Sequence, residues 1–264
     1  PSTHLEVALN VFQVRDESHN AMTAWLINDI LKEENLLRNA RVEKLDAGPV
    51  FARFRVIHKF RSSRIEEDIL YYRDLPRVDF DARIDWREKG NATVGVPQLK
   101  VSFAATLSAA RARTEGPFVV NEIPADGNEM PTQKWAAVTG REGGFALYND
   151  SKYGMDALGP RLRMTLLRNP YNPDPETDNG RHRVRFAFEP HPAGTRNAAL
   201  VRGGMSFNRP LLAIVSRARG RQTAGGLSIR GSDSVVCTPR RRAEHSHGVI
   251  VRLFEADGKA CRAA

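Results

Sequence analysis

The ten residues from Arg77 to Trp86 leave this chain little choice of secondary structure. Val78, Phe80, Ala82, Ile84 and Trp86 alternate without interruption against Arg77, Asp79, Asp81, Arg83 and Asp85. A helix would scatter the apolar set around its circumference. A strand points successive side chains to opposite faces and gathers all five on one. One apolar face demands a second layer to cover it, so the stretch implies a sheet with a core on one side.

The same period of two recurs along the chain. Val50, Ala52, Phe54 and Val56 alternate with Arg53 and Arg55, and Ile65 to Tyr72 gives another strand. Leu99, Val101, Phe103, Ala105 and Leu107 follow, then Leu162, Met164 and Leu166 against Arg161, Arg163 and Thr165. Val184, Phe186 and Phe188 complete the series until Pro190 ends the ladder. Turn formers separate the runs: Gly48-Pro49, Ser62-Ser63, Asp126-Gly127, Asn149-Asp150-Ser151, Arg168-Asn169-Pro170 and the loop Asn172 to Gly180. The prediction is one all-β, mainly antiparallel domain over residues 1–264, with little helix. Leu5 to Leu9 and Val11 to Val14 add strand candidates, and Leu211 to Val215 another. Residues 217–226, rich in Gly and Arg, are expected to form a mobile loop. Only Ala21 to Leu37 suggests a helical face, from Trp25, Ile30, Leu31 and Leu37, with Trp25 as a core aromatic.

Charge narrows the partners. The formal net charge is +9, and nine arginines but one acid, Asp233, lie between Arg202 and Arg242. Reading nucleic acid requires aromatics for stacking or a reader motif, and this segment holds only Phe207. A solvated arginine face, or pairing with an acidic partner domain, is the better expectation. No apolar run approaches the ~20 residues that span a membrane. The chain opens Pro-Ser-Thr-His without Met, as a fragment of a longer polypeptide would. Cys237 and Cys261 make no disulfide framework, and free thiols fit a reducing, cytoplasmic compartment.

Alternating carboxylates at Asp79, Asp81 and Asp85 invite comparison with the paired acids of glycosidic hydrolysis. A solvated strand face with cross-strand Arg–Asp pairs accounts for them better. His182 and His191 stand at opposite ends of one strand, too far apart to share a metal, and each is expected to be hydrogen-bonded and structural. No zinc-protease, phosphate-loop or nucleophile-elbow motif occurs. Neither catalytic nor metal-binding residues are assigned in this chain.

Several ordered clusters carry a resemblance. Pro76-Arg77, Asp79-Phe80, Asp85-Trp86, Glu88, Leu99-Lys100 and Phe103 come first, then Glu129, Pro131, Gln133 and Trp135. Gly143-Gly144, Ala146-Leu147, Asn149-Asp150, Lys152-Tyr153-Gly154, Leu166-Leu167-Arg168 and Pro170 follow. Pro173-Asp174, Asp178, Gly180, His182, Pro190-His191 and, near the end, Arg252-Leu253, Glu255 and Gly258 complete the series. The set resembles the C-terminal β-domain of glycoside hydrolase family 38 α-mannosidases, in the bacterial and cytosolic branch. That resemblance implies an antiparallel super-sandwich similar to galactose-mutarotase-like domains. It also implies that catalysis and a zinc ion belong to an N-terminal domain of the same polypeptide. That domain and mannosides are then the expected partners, with a homo-oligomer as a further one.

On this view the chain contributes scaffold and the rim of a sugar site. The substrate-binding candidates are Asp150, Lys152 and Tyr153 in the turn after one strand, with Arg168, Asp174 and Asp178 around the loop after the next. The loop 173–180 carries more weight than the turn, because the resemblance places it beside the sugar. A simple hairpin would put the two at opposite ends of a sheet, unless the stretch from Asn149 to Pro160 folds back. The alternative function is a free-standing carbohydrate-binding or interaction module without catalysis, with Trp135, Tyr153 and Tyr171 as stacking surfaces in the first case.

Overall fold

A computed structural model describes residues 9–19, 23–212, 215 and 228–264. Its strands run, in chain order, β1 Val11–Glu17, β2 Ile30–Asn35, β3 Arg41–Ala47, β4 Phe51–Phe60, β5 Ser63–Tyr72 and β6 Val78–Trp86. Next come β7 Val96–Ala104, β8 Arg111–Gly116, β9 Val119–Ile123, β10 Asp126–Pro131, β11 Trp135–Thr139 and β12 Gly144–Asn149. The chain continues with β13 Gly154–Leu158, β14 Arg161–Arg168, β15 Gly180–His191, helix α1 Asn197–Asn208, β16 Val235–Arg242 and β17 Val249–Glu255.

Two antiparallel sheets and a small ribbon result. Six strands order as β10-β13-β14-β7-β1-β2, nine as β3-β4-β5-β6-β15-β12-β11-β8-β9, and β16 pairs with β17. The large sheet is two four-stranded halves joined by β15, which pairs β6 on one side and β12 on the other. Between the sheets lies one apolar core, with Phe12, Leu99, Val101, Phe103, Leu162 and Met164 from the smaller sheet. The larger contributes Ile65, Phe80, Ile84, Trp86, Leu147, Val184 and Phe186. Phe80 meets Phe103 edge-on at 5.7 Å across the interface, and stacks on Phe186 at 4.9 Å within its own sheet. The alternation of Arg77 to Trp86 is realised as expected, since Phe80, Ala82, Ile84 and Trp86 are all buried.

A second core lies on the other face of β11 and β12, beneath α1. Ala198, Leu200, Val201 and Phe207 of the helix pack with Trp135, Ala137, Tyr148 and Ala187. Gly204 permits this approach, because a Cβ there would sit 2.9 Å from Trp135 Cδ1. The helix lacks a side-chain cap of its own, and Ala198 N donates instead to Asp257 Oδ1 at 3.2 Å. A carboxylate there complements the first-turn amides.

Several expectations need correction. Ala21 to Leu37 holds no helix among the described residues; β2 occupies Ile30–Asn35, and Trp25 is 64% exposed rather than in the core. Helix α1 was not foreseen, because the Gly203-Gly204 pair lowers helix propensity and only tertiary packing compensates. Leu211, Leu212 and Val215 belong to no strand and are exposed. β15 passes through Pro190, which lies opposite Phe145, and ends at His191. β7 stops at Ala104, short of Leu107. The strand expected at Leu5 to Leu9 and the loop at 217–226 lie largely outside the described residues.

Candidate functional site

β12 and β15 are antiparallel, with Gly144 opposite His191 and Asn149 opposite Phe186. The chain therefore leaves β12 and enters β15 at the same end of the large sheet. Between them it crosses to the small sheet, forms β13 and β14, and returns through residues 169–179. This excursion replaces the simple hairpin and sets the turn after β12 beside the loop before β15.

The turn is held by Asn149, which is fully buried. Its Oδ1 accepts Lys152 N at 2.9 Å, and its Nδ2 donates to Gln133 O at 2.8 Å. Asp150 reaches across to β15, where Arg185 Nε donates to its Oδ2 at 2.8 Å. Burial lowers the affinity of the Lys152 ammonium for its proton, and the nearby carboxylates of Asp178 and Asp150 oppose that shift. So Asp150, Lys152 and Asp178, drawn from the two segments, share one electrostatic neighbourhood. Asp178 adopts a left-handed φ of 56°, and its carbonyl accepts the His182 ring Nε2 at 2.7 Å. Tyr153 is 60% exposed.

The other two candidates are engaged in contacts of their own. Asp174 organises its own turn: Oδ1 accepts Glu176 N and the carbonyl accepts Thr177 Oγ1, both at 2.9 Å. Arg168 is committed within the chain. It grips the fully buried Glu17 through two bonds of 2.6 and 2.8 Å, and donates to Leu26 O at 2.7 Å. Glu17 also accepts Gln98 Nε2 and Asn28 N. Nothing in the sequence marks Glu17 as the hub of this end, since its partner Arg168 lies 151 residues away.

Other residues keep scaffold roles. Trp135 is fully buried in β11 and offers no stacking surface. The β6 carboxylates are paired with arginines, Asp81 with Arg183 at 2.6 Å across to β15 and Asp79 with Arg77 at 2.6 Å. His191 Nδ1 donates to Pro192 O at 3.1 Å. Cys237 and Cys261 are free thiols. Among the described residues, no group of three or more His, Cys, Asp or Glu is placed to hold a metal ion. No helix among them is long and apolar enough to cross a membrane. As chemistry, the cluster offers carboxylate acceptors, an ammonium donor and, at Tyr153, an exposed aromatic ring.

Comparison with known proteins gives this arrangement a family. The model for "Glycosyl hydrolases family 38 C-terminal domain" matches residues 2–176. Alpha-mannosidase 2C1 of Homo sapiens is 29% identical over 208 residues, covering 75% of this chain and 19% of that protein. Alpha-mannosidase G of Dictyostelium discoideum is 27% identical over 207 residues, covering 74% and 18%. The chain thus spans about a fifth of the length of these relatives. In fold it is similar to the crystal structure of an alpha-mannosidase from Enterococcus faecalis V583, with a TM-score of 0.79 and 14% identity over 97% of this chain and 34% of that one. The chain belongs to the glycosyl hydrolase family 38 C-terminal domain family.

Proposed function

We propose that the chain is the C-terminal portion of an α-mannosidase acting on terminal α-mannosidic bonds, serving as scaffold and as part of the sugar-site rim. The observation that carries the reading is the family match over residues 2–176, joined to relatives that are themselves named alpha-mannosidases. In retaining hydrolysis one carboxylate attacks the anomeric carbon and a second protonates the leaving oxygen. Those groups, and the zinc ion expected with them, belong on this reading to the N-terminal domain. Among the described residues no metal-ligand set is found.

What this chain supplies is position. The Lys152 ammonium donates, and the Asp150 and Asp178 carboxylates accept, at the place where a sugar hydroxyl would lie. Tyr153 presents an exposed ring to a sugar C–H face. The left-handed turn at Asp178 and the His182 contact hold the loop 173–180 in place before substrate arrives, which limits the entropy lost on binding.

The test is the full-length polypeptide on an aryl α-mannoside with zinc present. Asp178→Asn should lower turnover by about tenfold, the scale of one charge-assisted hydrogen bond, with the melting temperature nearly unchanged. A large fall in melting temperature, with activity preserved per folded molecule, would make the loop scaffold. Absence of hydrolysis by the folded full-length protein would overturn the reading itself.

A further inference from the structure

The connection between β1 and β2 does something unusual with its apolar side chains. Trp25, Leu26 and Ile27 are 64%, 49% and 51% exposed, and Leu31, just beyond, is 66% exposed. A monomeric surface seldom displays a run of this kind without a use for it. A loop with nothing to bind would turn such groups inward or lose its fixed shape.

This loop is instead fastened at both ends and in the middle. Thr23 is fully buried and exchanges hydrogen bonds with Asn172, Oγ1 to O at 3.2 Å and N to Oγ1 at 3.1 Å. Ala24 N donates to Asn172 O at 3.2 Å, and Ser18 N to Asp29 O at 2.7 Å. Asn28 N donates to Glu17 Oε2 at 3.1 Å, while Arg168 clamps Leu26 O. The buried Glu17–Arg168 pair thus fixes the backbone while the large side chains face outward. Its ordering entropy is met in advance, the condition under which an exposed apolar surface binds best.

We infer that Trp25, Leu26, Ile27 and Leu31 form a docking surface for the N-terminal portion of the same polypeptide. This rests on the α-mannosidase reading above, which requires such a portion, and gives it a place of attachment. Two observations choose that occupant. The relatives are about four times as long as this chain, so on that reading a partner of large surface is covalently at hand. And the loop shares its hydrogen bonds with Asn172, at the head of the acidic loop, so the surface is tied to the segment that carries the candidate site. A second copy is disfavoured, since each copy brings the same charge of +9.

The experiment places a photoreactive benzophenone side chain at position 25 of the full-length polypeptide, in place of Trp25. After irradiation, mass spectrometry locates the cross-link. Attachment within the N-terminal portion of the same molecule supports the proposal. Attachment only to a second copy, or none beyond the chain's own neighbouring residues, overturns it. In parallel, Leu26→Asp should split the full-length protein's thermal transition into two and raise hydrogen exchange at residues 23–29. If Leu26→Asp leaves both unchanged, the surface is not an interface. Aryl mannoside hydrolysis by the unmodified protein, measured alongside, fails or succeeds independently of where the cross-link falls.

Discussion

The outward faces of the two sheets are written in the same residues and behave differently. On the large sheet, Arg183 and Asp81 bond at 2.6 Å with the arginine 64% exposed, and water shares the work. On the small sheet, Lys100, Asp156 and Arg163 occupy the equivalent outward positions, between core residues such as Leu99, Met155 and Leu162. Yet their side chains are only 2%, 1% and 6% exposed. Asp156 accepts Lys100 at 2.8 Å and Arg163 at 2.6 Å, while Glu129 takes Lys100 at 2.5 Å and Glu33 takes Arg15 at 3.1 Å. On the first face the Arg183–Asp81 pair is solvated, while its neighbour Asp68 is shielded between Arg55 and Arg83. The other is a network in which each anion serves two cations or a cation and a hydroxyl, and around Asp156 little water can replace a lost member. Alternation in sequence locates such faces without telling them apart.

Removing Asp156 should break the comparison most severely. Asp156→Ala strips a carboxylate from two buried cations and should cost about 3–5 kcal/mol in urea denaturation, the range for breaking a buried pair from one side. Lys100→Met keeps the volume and removes the charge, leaving Asp156 to Arg163, and should cost distinctly less. Equal losses would mean that packing rather than charge holds the face.

Adjacent carboxylates on β5 sharpen it next. Asp68 points outward; burial works to raise its proton affinity, but hydrogen bonds from Arg55 and Arg83 outweigh that and hold it below the usual range. Glu67 points inward beside Ala82, is fully buried, and has Asn10 Nδ2 as a donor at 2.6 Å. Burial pushes its carboxyl up to about 8 from 4.5. The folded state then holds a proton the unfolded chain has released, so stability is greatest below the unfolded value and falls as pH rises towards 8. From pH 5 to 8 the loss should be roughly 3 kcal/mol, and Glu67→Gln should flatten it. A wild-type profile as flat as the variant's would refute this assignment.

The smallest effect belongs to the solvated face. Arg183→Ala should cost about 0.2–1 kcal/mol and fade in high salt. A salt-insensitive loss of several kcal/mol would erase the distinction between the two faces.

Much of the fold was legible because a half-buried strand must alternate. β6, β14 and β15 are written plainly, as is the turn after Tyr148, where Asn149 closes the strand through its own side chain. Of the candidate site, the meeting of Asp150, Lys152 and Asp178 follows from β12–β15 pairing that sequence spacing alone argued against. Arg168 stands out in the sequence as a site candidate, but its partner Glu17 is set by tertiary structure. Trp25 shows the limit in the other direction: an aromatic at helical spacing looks like core, and only the clamp on Leu26 and Asn28 explains why it faces out. α1 was illegible because Gly203 and Gly204 serve packing against Tyr148 and Trp135 rather than helix propensity.

The position of β15 at the joint of the large sheet has a consequence for a chain made from one end. β6 is complete at Trp86, but its neighbour does not begin until Gly180, and the open edge of β12 also awaits that strand. Ribosomal synthesis at about 5–20 residues per second exposes the β6 edge for about 5–20 s before β15 can emerge. An unpaired edge backed by Phe80, Ile84 and Trp86 is a template for wrong partners. The alternating arginines and aspartates along β6 therefore guard the nascent half-sheet as well as solvate the finished one.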